Sequence, residues 1–336
     1  MLYKKFILFL FITIILIMLF IVILQLYCKK ENKTFHEILY PDDYNVFFNE
    51  QKYRKYNKKE NYEKILLNGF NVMKTKKLVI GSLFKDSAYI FSKFRQRMEN
   101  LTKYFNDVQF VIFENDSKDN SRVLLLNWEM EDKNVHIIKC KENNFCILKN
   151  VSAISYGTFS SNRMKKMTEY RNYVKKYVDE NFSNYDYFMM IDSDTRGPFS
   201  IEGLAYSFGK NLDWDMMSAY GLNGIVLTGG QLIYYDYLAY LKNFNTLSEL
   251  KNAIYINNLN NYDDFIPINN AFGGLSIYKM SSIKNVDYTP KDGNYICEHT
   301  IFTNNMKDKG FNKFFINPKL IFLVGKQGSD TLSMMY

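Results

Sequence analysis

The chain has 336 residues, 47% of them hydrophobic and 23% charged, which is the balance of an ordinary globular protein with length for one large domain or two small ones. Its net charge of +8 is spread along the chain with no long basic tract, so nothing points to nucleic acid, while an anionic nucleotide or a membrane surface stays compatible. Four cysteines and three histidines without a C-x-x-C pair argue against a Cys/His zinc module.

Residues 6–26 read FILFLFITIILIMLFIVILQL, without a charge. That run is long enough to span a bilayer as a helix, and it is too long and lacks the small-residue cleavage site of a signal peptide. The chain is therefore expected to have a head over 1–5, a transmembrane signal-anchor over 6–28, a stem over 29–76 and a catalytic domain over 77–336. Lys4 and Lys5 before the anchor are matched by Lys29, Lys30 and Lys33 after it, so charge does not set its orientation. A short head and a large tail suggest a cytosolic head and a luminal domain, the arrangement of ER- or Golgi-type enzymes. Asn-x-Ser/Thr triplets at Asn32, Asn100, Asn115, Asn150 and Asn181 permit glycosylation there, and Cys140 with Cys146 would either close a short loop or remain buried thiols. The stem is charged and rich in Tyr and Asn; it reads as a spacer, or as a pair of surface helices packed on the domain.

The domain opens with the strand LVIGSL at 78–83. A helix follows, capped by Asp86 or Ser87 and running to about residue 105. A strand over 108–113, a helix over 123–128 and a strand over 135–139 come next, and this alternation predicts a parallel sheet with right-handed crossovers. A long helix over 161–181 carries Arg163 and Arg171 into YDYFMMIDSDTRGP at 185–198.

That stretch is a buried strand, 187–192, delivering Asp192 and then Asp194 to its carboxyl end, where open α/β sheets bind ligands. Two acids so placed can share a divalent cation with a diphosphate. A second Asp-x-Asp, Asp213-Trp214-Asp215, precedes its strand at 216–220 and so stands at the opposite end, where Trp214 is expected to pack. A phosphatase-type D-x-D-x-T does not fit, because Thr195 comes one place early. Farther on lie GGQLIYY at 229–235, an Asn/Tyr-rich insertion over 251–265, FGGLSIYKM at 272–280, and CEHTIF at 297–302 opening a late helix.

An alternating nucleotide-binding half, an Asp-x-Asp at a strand end, a Gly-Gly pair and an acidic residue opening a late helix together resemble a GT-A glycosyltransferase. More narrowly, FENDSKDNSRVLLL at 113–126, EYRNYV at 169–174, MIDSD at 190–194, WDMMSAYG at 214–221, and CEHTIF followed by Gly310 and INPKL resemble the fungal capsule-associated mannosyltransferase family over about residues 78–320. The resemblance implies an α/β fold of GT-A type, with a mostly parallel sheet flanked by helices behind the anchor. It also implies Mn²⁺- or Mg²⁺-dependent transfer of a hexose, mannose in that family, from a nucleotide-diphosphate sugar to a glycan, glycoprotein or glycolipid.

Position by position, it implies that Ser82 and Asp86 receive base and ribose, with Asp116 and Ser117 at the same edge. Arg171 would meet phosphate, for which a guanidinium fork has the right geometry. Asp192 and Asp194 would hold the metal with His299 as third ligand, and Glu298 would be the general base of an inverting reaction. Gly273 and Gly274 would let backbone approach the sugar or acceptor. Each has a plainer counterpart: a solvated helix face for Arg171, a helix start for Glu298 and His299, a tight turn for the glycines. The competing function is a catalytically inactive, membrane-anchored glycan- or nucleotide-binding protein with the same fold.

Overall fold

The computed structural model describes residues 45–50, 61–139, 161–224, 232–235, 239, 264–295 and 297–324, with positions 13, 16–19 and 22 of an amino-terminal helix. Apart from those six positions the anchor at 6–28 lies outside the described residues, as do Cys140 with Cys146, Asn32 and Asn150, and most of the 251–265 insertion. Among the described residues no helix is long and apolar enough to cross a membrane.

In chain order the elements are α1 (Tyr62–Met73), β1 (Lys77–Phe84), α2 (Ala88–Leu101), β2 (Asp107–Glu114), α3 (Ser121–Glu131), β3 (Val135–Lys139), α4 (Ser161–Asn181) and β4 (Tyr187–Asp192). They continue with α5 (Ile201–Gly209), β5 (Met216–Gly224), β6 (Leu232–Tyr234), β7 (Ile266–Pro267), β8 (Leu275–Lys279), α6 (Glu298–Lys307) and β9 (Phe314–Leu323). The strands form one sheet in the order β3-β2-β1-β4-β8-β5-β9-β7, with β6 paired to β5.

From β3 to β4 every pairing is parallel. Beyond β4 the sheet becomes mixed, because β8 lies antiparallel between β4 and β5, while β5 and β9 are again parallel. The expectation of a mostly parallel sheet thus describes the amino-terminal half, and the carboxyl-terminal half departs from it through β8.

The apolar runs of the first strands follow from burial on both faces. Leu78, Ile80, Phe110, Ile112, Met189 and Ile191 enter one core with Phe94 and Trp128. Their alternates Val79, Val111, Phe113, Phe188 and Met190 enter a second core with Val174 and Val178 of α4. The period of two along each strand divides the apolar residues between the two layers.

At 62–73 the chain is a packed helix, the second of the two readings of the stem. Gly69 of α1 and Gly209 of α5 bring the two backbones together: a Cβ on Gly69 would stand 1.9 Å from the Ala205 carbonyl oxygen, and one on Gly209 1.8 Å from that of Ile65. Asn100 and Asn115 are buried, which leaves no room for a glycan on either.

Candidate active site

The parallel half of the sheet reverses its winding between β1 and β4. The chain steps outward from β1 to β2 and β3, then returns through α4 to lay β4 on the other side of β1. Such a switch point opens a crevice at the carboxyl ends of the two strands. Asp192 ends β4 in register with Leu83 of β1, so it stands at the mouth of that crevice. Its own amide donates to the Gly274 carbonyl at 2.9 Å, and the next residue, Ser193, donates its hydroxyl to the Leu83 carbonyl. Asp194 is exposed.

Arg171 joins the three elements that meet here. Its side chain is 3% exposed, not spread on a solvated helix face. Nη2 donates to Asp192 Oδ1 at 3.3 Å and Nε to Glu298 Oε1 at 3.1 Å. Burial works against the guanidinium charge, but Glu298 and Asp192 more than offset it and raise its pKa. Nη1 is buried with no hydrogen-bond partner among the described residues, so one arm of the fork has donor capacity in reserve.

Asp192 is satisfied on its other oxygen by the Tyr235 hydroxyl, which donates to Oδ2 at 3.1 Å. Removal from water, with Asp194 and Glu298 as like-charged neighbours, pushes its pKa up to about 7, against the opposing pull of Arg171. Tyr235 is a site residue that the sequence reading passed over. Its place depends on β6 folding back on β5, which no periodicity in GGQLIYY announces.

Glu298 opens α6 and is buried. A general base must face the acceptor hydroxyl, whereas Glu298 lies 6% exposed against Arg171, the position of a counter-ion that orients the guanidinium. His299 beside it stacks on Phe272 with ring centroids 3.6 Å apart and planes 16° apart. Burial, then the Arg171 charge, holds its pKa well below the ordinary histidine value. The imidazole is neutral, the form that ligates metals, and Nδ1 is buried with no hydrogen-bond partner among the described residues.

Across the crevice the loops after β1 and β2 knit together. Asp86 and Asp116 both adopt left-handed backbone, φ 47° and 46°, a strained choice for non-glycine residues that recurs at functional sites. The Asp86 amide donates to Ser117 Oγ at 3.1 Å, Lys118 donates its amide to Asp86 Oδ1 at 2.6 Å, and Arg122 holds Asp116 at 2.8 Å. Asp86, Asp116 and Ser117 are therefore brought together as the sequence predicts.

Ser82 is not among them. It is fully buried, and its hydroxyl donates to the Ile191 carbonyl at 2.8 Å, a cross-link between β1 and β4 beneath the crevice. Gly273 and Gly274 have φ of 64° and 81°, and a Cβ on Gly273 would stand 2.2 Å from the Ala219 carbonyl oxygen. In the turn that leads into β8, Gly273 approaches the β5 backbone, while a Cβ on Gly274 would stand 3.1 Å from the Phe322 ring of β9. Asp213 is clamped by Lys279 and Lys313, and Trp214 packs with its indole N–H on the Ser207 carbonyl at 3.1 Å, both away from the crevice.

Among the described residues no group of three or more His, Cys, Asp and Glu side chains converges as a complete metal shell. The donor set at the crevice is the Asp192 and Asp194 pair. Carboxylates in ones and twos suit a magnesium or manganese ion whose remaining ligands are water and substrate phosphates.

No family model matches the sequence, so the capsule-associated family remains a resemblance of motifs. No curated protein matches it either. Among solved structures, the chain is similar to TarS of S. aureus, residues 1–349, at 14% identity and a TM-score of 0.42, over 71% of this chain and 57% of that one. It therefore spans little more than half the length of that fragment. It is also similar to the mannosyltransferase PcManGT of Pyrobaculum calidifontis in complex with GDP-Man and Mn²⁺, at 10% identity and a TM-score of 0.45, over 80% of this chain and 67% of that one. A TarS structure in complex with UDP-GlcNAc gives 13% identity and a TM-score of 0.40 over 77% and 61%. At such identity each is a likeness of chain path, and what each protein binds is said of that protein.

Proposed function

We propose that the chain is a GT-A type glycosyltransferase that moves a hexose from a nucleotide-diphosphate sugar to a hydroxyl acceptor with the help of Mn²⁺ or Mg²⁺. The observation that carries this reading is the position of Asp192 and Asp194 at the switch point between β1 and β4, with the buried Arg171 behind them. Breaking a glycosyl–phosphate bond builds negative charge on the departing diphosphate while the sugar takes on oxocarbenium character. A divalent cation held by Asp192 and Asp194 would offset that charge as a Lewis acid.

The chain's own residues supply the rest. Arg171 keeps its charge in a buried setting, where a guanidinium acts more strongly than in water, and its unpartnered Nη1 is suited to a phosphate oxygen. Glu298 and Tyr235 fix Arg171 and Asp192 from either side. The rigid Asp86, Asp116 and Ser117 loops offer acceptors at the edge where a ribose would lie. Glu298 as base and His299 as third metal ligand belong to the same reading with less support, since one is nearly closed off and the other is engaged in an aromatic stack. GDP-mannose is the donor suggested by the motif resemblance.

The reading includes a membrane anchor. The exposed Leu16, Ile17, Met18, Leu19 and Val22 of the amino-terminal helix support it, because such a face costs free energy in water and gains it in lipid. A luminal domain remains the orientation suggested by the short head.

The test uses the full chain in detergent with a panel of GDP- and UDP-sugars, with and without Mn²⁺, measuring released nucleoside diphosphate. Cation-dependent release from one donor, lost in folded Asp192→Ala and Asp194→Ala proteins, is the expected result. Absence of both release and cation-dependent nucleotide binding would sink the transferase and favour the inactive binding protein.

A further inference from the structure

Residues 45–50 precede the domain, in the stretch read from the sequence as a stem, yet they are fastened to the loop that carries Asp194. One fastening is Arg97 on α2, buried with 4% of its surface exposed. Its Nε and Nη2 donate to the Asn45 carbonyl at 2.9 and 2.7 Å. Its Nη1 donates to the Thr195 carbonyl at 3.1 Å, and Nη2 also reaches the Arg196 carbonyl. A single guanidinium thus grips residue 45 and the two residues that follow Asp194.

The other fastening is Glu50. Both its oxygens accept from the Ser200 hydroxyl at 2.8 Å, and Oε1 also accepts from the Glu202 amide at 3.2 Å. Ser200 caps α5, its hydroxyl accepting from the Gly203 amide at 2.8 Å, so Glu50 adds a carboxylate to the positive end of that helix. Between the two fastenings Phe48 packs against the core cluster of Tyr220, Leu222 and Tyr234. The packing underneath is incomplete: a cavity of about 230 Å³ lies between this segment and Phe70, Tyr104 and Phe199. Its hold on the domain is therefore concentrated in the polar fastenings.

We propose that residues 45–50 form a clasp over the 195–200 loop, with Arg97 and Glu50 as positioning residues that fix the direction in which Asp194 is presented. The loop is also tied by Ser193 to the Leu83 carbonyl, by the Arg196 amide to the Val324 carbonyl at 3.0 Å, by the Ser200 amide to the Ile321 carbonyl at 2.8 Å and by the Leu323 amide to the Pro198 carbonyl at 3.0 Å, and the Tyr89 hydroxyl donates to the Asp194 carbonyl at 3.4 Å. The Thr195 and Arg196 carbonyls, the first two after Asp194, are held by Arg97. Removing a residue that orients a ligand lowers metal affinity by about 10–100-fold without touching the metal. The clasp makes this part of the stem stretch a working part of the site rather than a spacer. This inference rests on Asp192 and Asp194 being the cation pair, and the controls separate the two.

The experiment uses full-length protein in detergent and Mn²⁺ alone as probe, followed by water-proton relaxation, with amide exchange of the 193–203 peptide as a second readout. Arg97→Met is expected to weaken Mn²⁺ binding about tenfold and speed exchange of that peptide, and Arg97→Lys to recover part of both. Glu50→Gln, which leaves the interior untouched, is expected to give a smaller loss than Arg97→Met and the same faster exchange at an unchanged melting temperature. If Arg97→Met does not fold, Arg97→Lys and Glu50→Gln carry the test. Wild-type affinity and wild-type exchange in those variants, with binding abolished in Asp194→Ala, would overturn the clasp and leave the cation pair standing. Equal Mn²⁺ binding by wild type and Asp194→Ala would overturn the cation pair, and the clasp's functional role with it.

Discussion

Asp192 carries the electrostatic tension of the site. Its folded-state pKa is raised to about 7, far above that of an unfolded carboxylate, so between those values the folded chain binds the extra proton. Stability therefore falls as pH rises through that window in the cation-free protein. Cation binding runs the other way, because Asp192 must release its proton to bind. Desolvation in the crevice raises Asp194 as well, so below pH 7 Mn²⁺ affinity should drop by at least about tenfold per pH unit, and above it the profile should flatten. Relaxation titrations from pH 5.5 to 8.5 on wild type and Asp192→Asn would read this directly, and a pH-independent wild-type affinity would contradict the assignment. The same residue shows the reach of sequence reading. Its place at a strand end was legible from YFMMID alone, whereas its partners Arg171 and Tyr235 come from a helix and a hairpin whose distance from it only folding decides.

At the scale of elements, the contact between α1 and α5 is set by glycines. Backbone-to-backbone packing leaves no room for a methyl group at Gly69 or Gly209. Gly69→Ala should cost about 1–3 kcal/mol by forcing the helices apart, seen as a lower urea midpoint with an unchanged slope, while Ala at the exposed Lys74, just past α1, should be near neutral. A neutral Gly69→Ala would mean the helices slide without loss. The strands β3 and β4 and the helix α4 match their sequence-predicted bounds, because short apolar runs and a long charged helix leave clear marks. Helix α5 left a weaker mark. It has only nine residues, two of them glycines, and is almost wholly buried, so it is too short for a repeating pattern to announce it. Strand β8 lies within the FGGLSIYKM stretch, but its antiparallel place beside β4 was not legible there, since order within a sheet is decided by long-range pairing. Ser82 illustrates the same limit at a single position, being correctly set at the crevice strand yet turned into the sheet.

Over the whole molecule the net charge is +8, but the crevice does not follow the average. Asp192, Asp194, Glu298, Asp86 and Asp116 are set against the buried Arg171, Arg122 and, around Asp194, Arg163 and Arg196. The carboxylates offset much of what these guanidinium groups offer a diphosphate, so a cation held by the acids is expected to accompany it. Calorimetry with GDP and with UDP should show binding at least about tenfold tighter with Mn²⁺ than in chelator, equivalent to about 1.4 kcal/mol. Equal affinity under both conditions would argue that guanidinium groups suffice.

The interleaving of β8 between β4 and β5 also has a history in time. When β4 emerges from the ribosome, β1 is ready to pair with one of its edges, but the partner for the other edge is β8, encoded about 80 residues later. At a synthesis rate of about 5–20 residues per second, the strand Phe188-Met189-Met190-Ile191 presents an unpaired, wholly apolar edge for several seconds. It is the kind of edge that templates pairing with another chain. The nascent protein therefore needs either an attendant chaperone or a pause-free passage through residues 193–275, and synonymous changes that slow translation across that window should lower the yield of folded protein while leaving its sequence untouched.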